Sequence, residues 1–265
     1  MIIAEIGWNF LGDLRLAEKM VDQASDAGCK FVKFQLWDPK NLKEGPWDKD
    51  GRREIYNKSF LDEEKYGELF NYSKSKNLNC FASIFNHSSI KTVLKFSNKF
   101  IKIPSLEAYD LELIRKSLDL FENVLVSTGA LKFEELKSLE KFKDCENLIM
   151  LHCVSSYPLN LENSNFSKFF YLKEKFKKVG YSGHCEGIDD ALFALSNGAV
   201  AIEKHFTTDN NLPGRDNKFA ILKDELKFLC NYQKSIIKMK KDNGLDLQDS
   251  EIEAFKSYRG RWKKN

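Results

Sequence analysis

The chain has 265 residues, of which 42% are hydrophobic, 13% aromatic and 31% charged, with only 5 prolines. This composition excludes an intrinsically disordered chain, because such chains are poor in apolar side chains. The formal charge of +3 comes from 42 basic and 39 acidic residues, and so small a surplus does not indicate nucleic-acid binding. A basic run stands only at the end of the chain, where a solvated tail explains it: Arg259, Arg261, Lys263 and Lys264.

The cysteines and the first residues bear on the cellular compartment. The six cysteines form no CxxC pair, which excludes a zinc ribbon or a thioredoxin motif. Their apolar flanks favour free, mostly buried thiols in a reducing cytosol. The start, MIIAEIG, lacks the basic segment and long apolar stretch of a signal peptide. No run approaches the roughly 18 apolar residues that cross a membrane. We therefore expect a cytoplasmic protein without membrane contact.

Short apolar runs alternate with amphipathic segments along the chain. The runs are rich in β-branched and aromatic residues and predict eight buried strands, at residues 2–7, 31–36, 79–85, 100–105, 124–129, 148–153, 178–183 and 199–206. The segments between them have helical spacing, near residues 14–24, 60–76, 88–97, 111–121, 132–143, 162–175, 187–197 and 222–241. Gly28 and Gly198 stand where a helix ends and the next strand begins. Eight strand–helix units in about 250 residues predict an α/β fold, the (β/α)8 TIM barrel.

The chain shows no linker rich in Pro, Gly or Ser that would divide it. We therefore expect one barrel over residues 1–243, with a long loop at 37–58 after the second strand. Residues 244–265 are predicted to add a C-terminal helix and a basic tail.

Polar or ionisable side chains end seven of the eight predicted strands, where the active site of such a barrel lies. In chain order they are Glu5 and Asn9; Lys33 and Gln35; Lys102, Ser105 and Glu107; Ser127 and Thr128; His152; Ser182 and His184; Glu203 and His205. A lone lysine in a strand is as typical of a structural ion pair as of function. The convergence indicates a site, because ionisable groups inside a barrel are costly unless they are paired or used.

The charges and hydroxyls at these strand ends predict an anionic ligand. Lys33 and Lys102 supply positive charge, while Ser105, Ser127 and Ser182 supply short donors. Phosphate or carboxylate suits such a set. Taken singly, each serine is also typical of a turn.

Histidines raise the question of a metal. His184 and His205 end adjacent strands, so their rings can converge on one divalent ion. Two histidines are an incomplete shell, and water or substrate oxygens would complete it, as in a Lewis-acid site for a carbonyl. From the residues alone, a metal site and a metal-free site remain equally open. For His87 we expect a surface or capping role. For His152, orienting a ligand and donating within the core both remain open.

A specific resemblance comes from seven strings that occur in one order: AEIGWNFLGD, VKFQ, IKIPSLE, VSTG, LHCVSSYP, GYSGH and IEKHFTTDNNLPGRD. Together they resemble the sialic acid (N-acetylneuraminate) synthase family, over residues 2 to about 230. Members of that family are (β/α)8 enzymes that condense phosphoenolpyruvate with an N-acyl amino-hexose. The product is a nine-carbon 2-keto sugar acid, and phosphate is released. The resemblance therefore implies a C–C bond-forming transferase of sialic or other nonulosonic acid biosynthesis.

The resemblance also implies roles for individual residues. A divalent ion, Mn or Mg, would be held by His184 and His205. Contacts to phosphoenolpyruvate would come from Lys33, Lys102, Ser105, Ser127, Ser155, Tyr157 and Ser182. The sugar-side and catalytic set would be Glu5, Gln35, Glu203 and Asp216, with Glu107 nearby. Which carboxylate is the base stays open.

The sequence departs from the family pattern in three places. The first loop, usually NHNG, reads NFLG at residues 9–12, and the loop after the third strand, usually with a proline and an aspartate, reads SIFN at 83–86. Family members continue past an arginine-containing linker, resembled by Arg259 and Arg261, into an antifreeze-like domain that reaches the partner's site in the family dimer. The sequence given ends at Asn265. We therefore expect an altered acceptor side, completed by a homodimer or a separate lid chain.

Two other functions remain open. One is a non-catalytic or partner-dependent relative that binds ligand, which the intact lysines and histidines disfavour. The other is a different phosphoenolpyruvate-dependent aldose synthase, such as an octulosonate-type enzyme. A phosphorylated acceptor would need a basic cluster at the barrel mouth, where Arg52, Arg53 and Arg215 are available.

Overall fold

The computed structural model describes residues 1–262, whose eight parallel strands close into a barrel in chain order, β8 pairing with β1. The strands are β1 Ile2–Gly7, β2 Phe31–Leu36, β3 Asn79–Ile84, β4 Ile101–Ile103, β5 Val124–Ser127, β6 Leu148–Cys153, β7 Val179–Gly183 and β8 Ile202–His205. All eight predicted strands are present. Several are shorter than predicted, because the apolar runs continue into buried turns beyond the last ladder hydrogen bond.

The α-helices follow the strands and pack around the barrel. They are α1 Leu14–Asp26, α2 Arg52–Lys58, α3 Glu63–Ser75, α4 Ser88–Leu94, α5 Leu111–Leu120, α6 Phe133–Ser138, α7 Phe166–Lys175, α8 Asp189–Ser196 and α9 Lys223–Met239. The helix predicted at 132–143 consists of α6 and a 3₁₀ turn at Leu139–Phe142. The (β/α)8 fold is thus confirmed.

The stretch 37–58 is more ordered than the predicted loop. It holds 3₁₀ turns at Pro39–Asn41 and Pro46–Asp48, and then α2. Each 3₁₀ turn begins at a proline, whose fixed φ suits a first helical position. Asp50 accepts a hydrogen bond from the Arg52 backbone N–H, 3.2 Å away, at the start of α2. Short elements capped in this way show no long apolar periodicity in the sequence, so the hydrophobic pattern did not predict them.

The periodicity of α1 shows how sequence becomes packing. The Asp13 carboxylate accepts from the backbone N–H groups of Arg15 and Leu16 and starts the helix. Its buried face carries Ala17, Met20, Val21 and Ala24. Burial of each large apolar side chain stabilises the fold by about 1.5–3 kcal/mol.

The barrel interior changes from apolar to polar along the strands. Its amino-terminal half is closed by one apolar cluster: Ile3, Phe81, Leu125, Ile149, Leu151 and Ala201. Two positions further along its strand, each of three of these residues is followed by a polar one: Ile3 by Glu5 in β1, Phe81 by Ser83 in β3, and Leu125 by Ser127 in β5. Since residues two apart share a face of a strand, the polar groups gather at the carboxyl end of the barrel.

Outside the barrel repeat, residues 244–262 contain a 3₁₀ turn at Asp249–Glu251 and a π-helical segment at Ala254–Tyr258. Lys263 and Lys264 of the predicted basic tail lie outside the described residues. The division between residues 1–243 and 244–265 stays a prediction. All six cysteines are free and five are buried, as expected. Within residues 1–262, no helix has the length and apolar character to span a membrane.

Candidate active site

Side chains from the carboxyl ends of all eight strands line a narrow polar cavity, here named the inner chamber. Its lining is Glu5, Lys33, Gln35, Ser83, Lys102, Pro104, Ser105, Ser127, Cys153, Tyr157, Ser182, His184, Glu203 and His205. Most of the site residues predicted from sequence therefore lie together, as the convergence of strand ends suggested.

Two lysines and two glutamates form a charge network at the base of the inner chamber. Lys33 Nζ lies 2.5 Å from Glu5 Oε2 and 2.5 Å from Ser83 Oγ. Lys102 Nζ lies 2.7 Å from Glu203 Oε1, which is also 3.8 Å from Lys33. All four charged side chains are buried. The network is formally neutral, which makes this burial tolerable.

The two carboxyl groups are tuned in opposite directions. Burial raises the pKa of Glu5 to about 7, although Lys33 opposes the rise. Burial also acts to raise the pKa of Glu203, but Lys102 and Lys33 outweigh it and lower the value to about 2. Gln35 Nε2 donates to Glu5 Oε1 at 2.5 Å and orients that carboxyl. Glu203 is therefore a permanent anion, while Glu5 can exchange a proton near neutral pH.

The hydroxyls of Ser105 and Ser155 lie close to Gly129, which follows β5. The Gly129 N–H donates to Ser105 Oγ over 3.1 Å. Within residues 1–262, the buried Oγ atoms of Ser127 and Ser155 have no hydrogen-bond partner. A Cβ at Gly129 would collide with the hydroxyls of Ser155 and Ser105. The glycine keeps open a small polar space whose hydroxyls are available to a ligand.

His184 and His205 lie side by side at the ends of β7 and β8, with ring centroids 5.5 Å apart. His184 Nδ1 lies 2.8 Å from the Val154 carbonyl oxygen, so this nitrogen donates and Nε2 keeps its lone pair. His205 Nδ1 lies 3.4 Å from Asp216 Oδ2. Burial, together with His184, lowers the pKa of His205 well below its usual range, and neutral imidazole is the form that binds metals.

These two histidines fit a divalent ion as a pair of nitrogen ligands, one oriented by a carbonyl behind it. Among residues 1–262, no group of three or more His, Cys, Asp or Glu side chains is placed to hold a metal. A protein shell of two ligands, His184 and His205, stays a prediction. The identity of the ion stays a prediction.

A second cavity, here named the outer chamber, opens above the first. It shares Gln35, Pro104, Ser105, Tyr157 and His205 with the inner chamber, and adds Trp8, Arg52, Tyr56, Phe85, Leu106, Arg215 and Asp216. Its volume is about 200 Å³, against about 50 Å³ for the inner chamber. The Tyr157 ring lies 4.1 Å from the His184 ring, centroid to centroid. A ligand filling both cavities would contact both histidines.

Asp216 reaches the outer chamber from the segment after β8. Its Oδ2 accepts a hydrogen bond from Trp8 Nε1 at 2.6 Å. Burial raises the pKa of Asp216 to about 6, although the Trp8 hydrogen bond opposes the rise. The carboxylate predicted on the sugar side thus borders the histidine pair.

Two predicted site residues, Ser155 and Glu107, are not among the residues that line the inner and outer chambers. Strand β4 ends at Ile103, and a 3₁₀ turn at Ser105–Glu107 carries the Glu107 side chain away from the inner chamber. Glu107 instead lines a neighbouring groove with Trp37 and Trp47. Its partial burial raises its pKa.

Other polar groups have structural partners. His152 Nε2 donates to the Ser164 carbonyl at 2.8 Å, and its ring packs against Phe166, so it belongs to the core outside the barrel. His87 pairs with Asp110 at 2.9 Å. Lys204, on the opposite face of β8 from His205, is buried.

Sequence reasoning missed seven residues that line the chambers: Trp8, Tyr56, Ser83, Phe85, Pro104, Leu106 and Cys153. Ser83 and Cys153 point inward, and the two-residue period of their strands was the signal that could have found them. Trp8 and Phe85 follow β1 and β3, and Tyr56 lies on the short helix α2. In such places an apolar side chain that lines a cavity carries the same pattern as one in the core.

Comparison with known proteins identifies the family. Residues 20–244 match the NeuB family. The chain belongs to the NeuB family. The N,N'-diacetyllegionaminic acid synthase of Campylobacter jejuni is 34% identical over 255 residues, covering 90% of this chain and 76% of that protein. A pseudaminic acid synthase of the same species is 33% identical over 266 residues, covering 95% of this chain and 78% of that protein.

A solved NeuB-type structure has the same fold. The N-acetylneuraminic acid (sialic acid) synthetase of Leptospira borgpetersenii, crystallised with citrate, superposes with a TM-score of 0.84 at 31% identity. The match covers 97% of this chain and 92% of that chain. The family predicted from the seven strings is confirmed.

Proposed function

We propose that this chain is a nonulosonic acid synthase, which condenses phosphoenolpyruvate with an N-acyl amino-hexose and releases phosphate. The observation that carries the proposal is the inner chamber of a NeuB-family barrel, where two buried lysines, serine hydroxyls and two histidines meet. The product is a nine-carbon 2-keto sugar acid, so the enzyme is a C–C bond-forming transferase.

Phosphoenolpyruvate fits the inner chamber by charge. Lys33 and Lys102 offer ammonium groups, and Ser105 and Ser127 offer hydroxyls to its anionic ends. The lysines are already paired with Glu5 and Glu203, so they bind the ligand without an isolated buried charge in its absence. Held in this way, the enol carbon faces the outer chamber, where the larger volume suits the sugar.

The reaction balances with the residues present. The enol carbon of phosphoenolpyruvate bonds to the sugar aldehyde carbon, whose oxygen takes up a proton. Water adds to the carbon that bears the phosphate, and Glu5, with its pKa of about 7, accepts a proton from it. The tetrahedral intermediate then breaks its C–O bond to the phosphate, and its hydroxyl proton passes to the departing phosphate oxygen, which leaves the 2-keto group and free phosphate. Glu203 stays ionised and stabilises positive charge that develops at the carbon under attack.

His184 and His205 would hold the divalent ion. Such an ion supplies a Lewis acid for the aldehyde oxygen. The Val154 carbonyl keeps His184 in one tautomer, and Asp216 lies beside His205, where it can hydrogen-bond the open-chain sugar.

The test measures phosphate release from phosphoenolpyruvate with a panel of N-acyl hexoses, with Mn and with a chelator. We expect release to depend on both the sugar and the metal, and a new nine-carbon acid to form in equal amount. Release without a sugar, or none with any member of the panel, would contradict the proposal.

A further inference from the structure

The wall of the outer chamber is aromatic where the acceptor would lie. Trp8 and Tyr56 line it with their ring centroids 5.0 Å apart. Trp37 stands behind them, 6.0 Å from Trp8 and 5.3 Å from Tyr56, and is almost fully buried. Its Nε1 donates to the Tyr56 carbonyl over 3.0 Å. The wall is therefore a packed two-layer surface, preformed for an apolar group.

Trp8 connects this wall to the polar side of the site. Its indole N–H donates to Asp216 at 2.6 Å, and Asp216 lies beside His205. One side chain thus shapes the apolar wall and also orients a carboxylate that faces the acceptor.

Of the two arginines that line the outer chamber, one is paired with a carboxylate. Arg52 lines the outer chamber, but Asp50 takes its guanidinium, with Nε 2.8 Å and a terminal nitrogen 2.6 Å from Asp50 Oδ2. The Arg215 side chain is exposed and donates to the Tyr157 carbonyl at 3.2 Å. A phosphate on the acceptor would compete with these partners and with the Asp216 carboxylate.

We infer that Trp8 is a specificity-determining residue that selects an uncharged amino-hexose with a methyl-bearing substituent, an N-acyl group or a deoxy carbon, over a phosphorylated one. The inference rests on the proposed function for the identity of the acceptor. The methyl group packs on the Trp8 and Tyr56 rings, while Asp216, oriented by Trp8, accepts from a sugar hydroxyl. In an apolar pocket a single methyl group discriminates by about 10- to 200-fold.

The test is calorimetric binding, measured separately for phosphoenolpyruvate and for two acceptors in the presence of Mn. The acceptors are a di-N-acyl-6-deoxyhexose and an N-acylhexosamine 6-phosphate. We expect the wild type to bind the first more tightly. Trp8→Leu should weaken binding of the uncharged sugar by at least about 10-fold, or 1.4 kcal/mol, and leave phosphoenolpyruvate affinity unchanged. Trp8→Phe keeps an aromatic ring but loses the N–H, and should weaken binding of the uncharged sugar less than Trp8→Leu does. Trp262→Leu, at an exposed tryptophan, is the matched control.

A gain-of-function arm tests the role of charge. Asp50→Asn keeps a cap for the Arg52 N–H but releases the guanidinium, so we expect tighter binding of the 6-phosphate sugar by at least about 10-fold. Preference of the wild type for the phosphorylated sugar, unchanged acceptor affinity in both Trp8 variants, or no gain with Asp50→Asn would each overturn the inference. Binding that follows this pattern without any phosphate release would instead overturn the proposed function alone.

Discussion

At the scale of single residues, the buried lysines are the groups that we propose to bind phosphoenolpyruvate. Each is held by a carboxylate before any ligand arrives: Lys33 by Glu5 and Lys102 by Glu203. A buried charge with such a partner is tolerated, and removal of one partner leaves the other charge buried without compensation. The same network therefore prepares the site and makes it sensitive to substitution.

We expect Lys102→Met to weaken binding of phosphoenolpyruvate by at least about 30-fold, since loss of a buried charge partner costs about 2–5 kcal/mol. Affinity for the sugar should change far less, because Lys102 does not line the outer chamber. Isothermal calorimetry on the folded variant measures both. Lys116→Met, at a lysine on the surface of α5, is the control. Equal affinity of Lys102→Met and wild type for phosphoenolpyruvate would refute the role.

We expect Glu5→Gln to lower kcat by about 100- to 10,000-fold, the usual contribution of a general base. In the wild type the base must be ionised. With a pKa of about 7, activity should fall as the pH drops below 7, by about tenfold per unit. The pH profile of kcat measures this fall in activity. The control Glu112→Gln, on the exposed face of α5, should show the same profile as the wild type. A flat profile between pH 5 and 7 would assign the base to another group.

Much of this site was predictable from the sequence because ionisable residues inside apolar strands are rare. Lys33, Lys102 and Glu203 were visible for that reason, and the structure places them together. Their ion pairs were not predictable, since a strand pattern does not reveal which opposite charge faces which. Trp8 and Tyr56 gave no signal at all, because aromatic residues outside the strands look alike whether they line a cavity or fill a core.

At the scale of elements, the strands position the chemistry and the helices support them. The eight runs predicted all eight strands, since a parallel strand buried on both faces is a continuous apolar segment. The structure of residues 37–58 was not predictable, because short capped turns lack periodicity. That segment nevertheless supplies Arg52 and Tyr56 to the outer chamber.

His152 joins β6 to the turn before α7, and it should make this contact sensitive to acid. Burial lowers its pKa from 6.5 to about 4, so the fold favours the neutral ring. The corresponding stability is complete above pH 6.5 and is lost as the pH falls from 6.5 towards 4. Because of this group, we expect the free energy of unfolding to be about 1.4 kcal/mol lower at pH 5.5 than at pH 8.

Urea unfolding at pH 8 and pH 5.5 tests this expectation. His152→Gln keeps a donor for the Ser164 carbonyl but does not titrate, so its loss of stability on acidification should be smaller than that of the wild type. Phe169→Leu, at a buried ring next to His152, should lower stability equally at both pH values. The same pH dependence in His152→Gln and wild type would contradict the assignment.

At the scale of the whole molecule, the closed barrel explains how residues as far apart as Glu5 and His205 form one site. Strand register pairs these two residues directly. The apolar cluster at the amino-terminal half of the interior leaves the carboxyl end as the opening, so the anion-binding groups and the histidines face the same cavity. Closure of the barrel followed from the count of strand–helix units, whereas the separation into inner and outer chambers depends on loop side chains.

The most direct test of the proposed reaction is to run it in H₂¹⁸O with phosphoenolpyruvate, Mn and an acceptor that supports turnover. Because water adds to carbon and the C–O bond breaks, the released phosphate should contain no ¹⁸O, and one nine-carbon acid should form per phosphate. Phosphate that carries ¹⁸O would show attack of water at phosphorus, and would contradict the account of this barrel as a synthase.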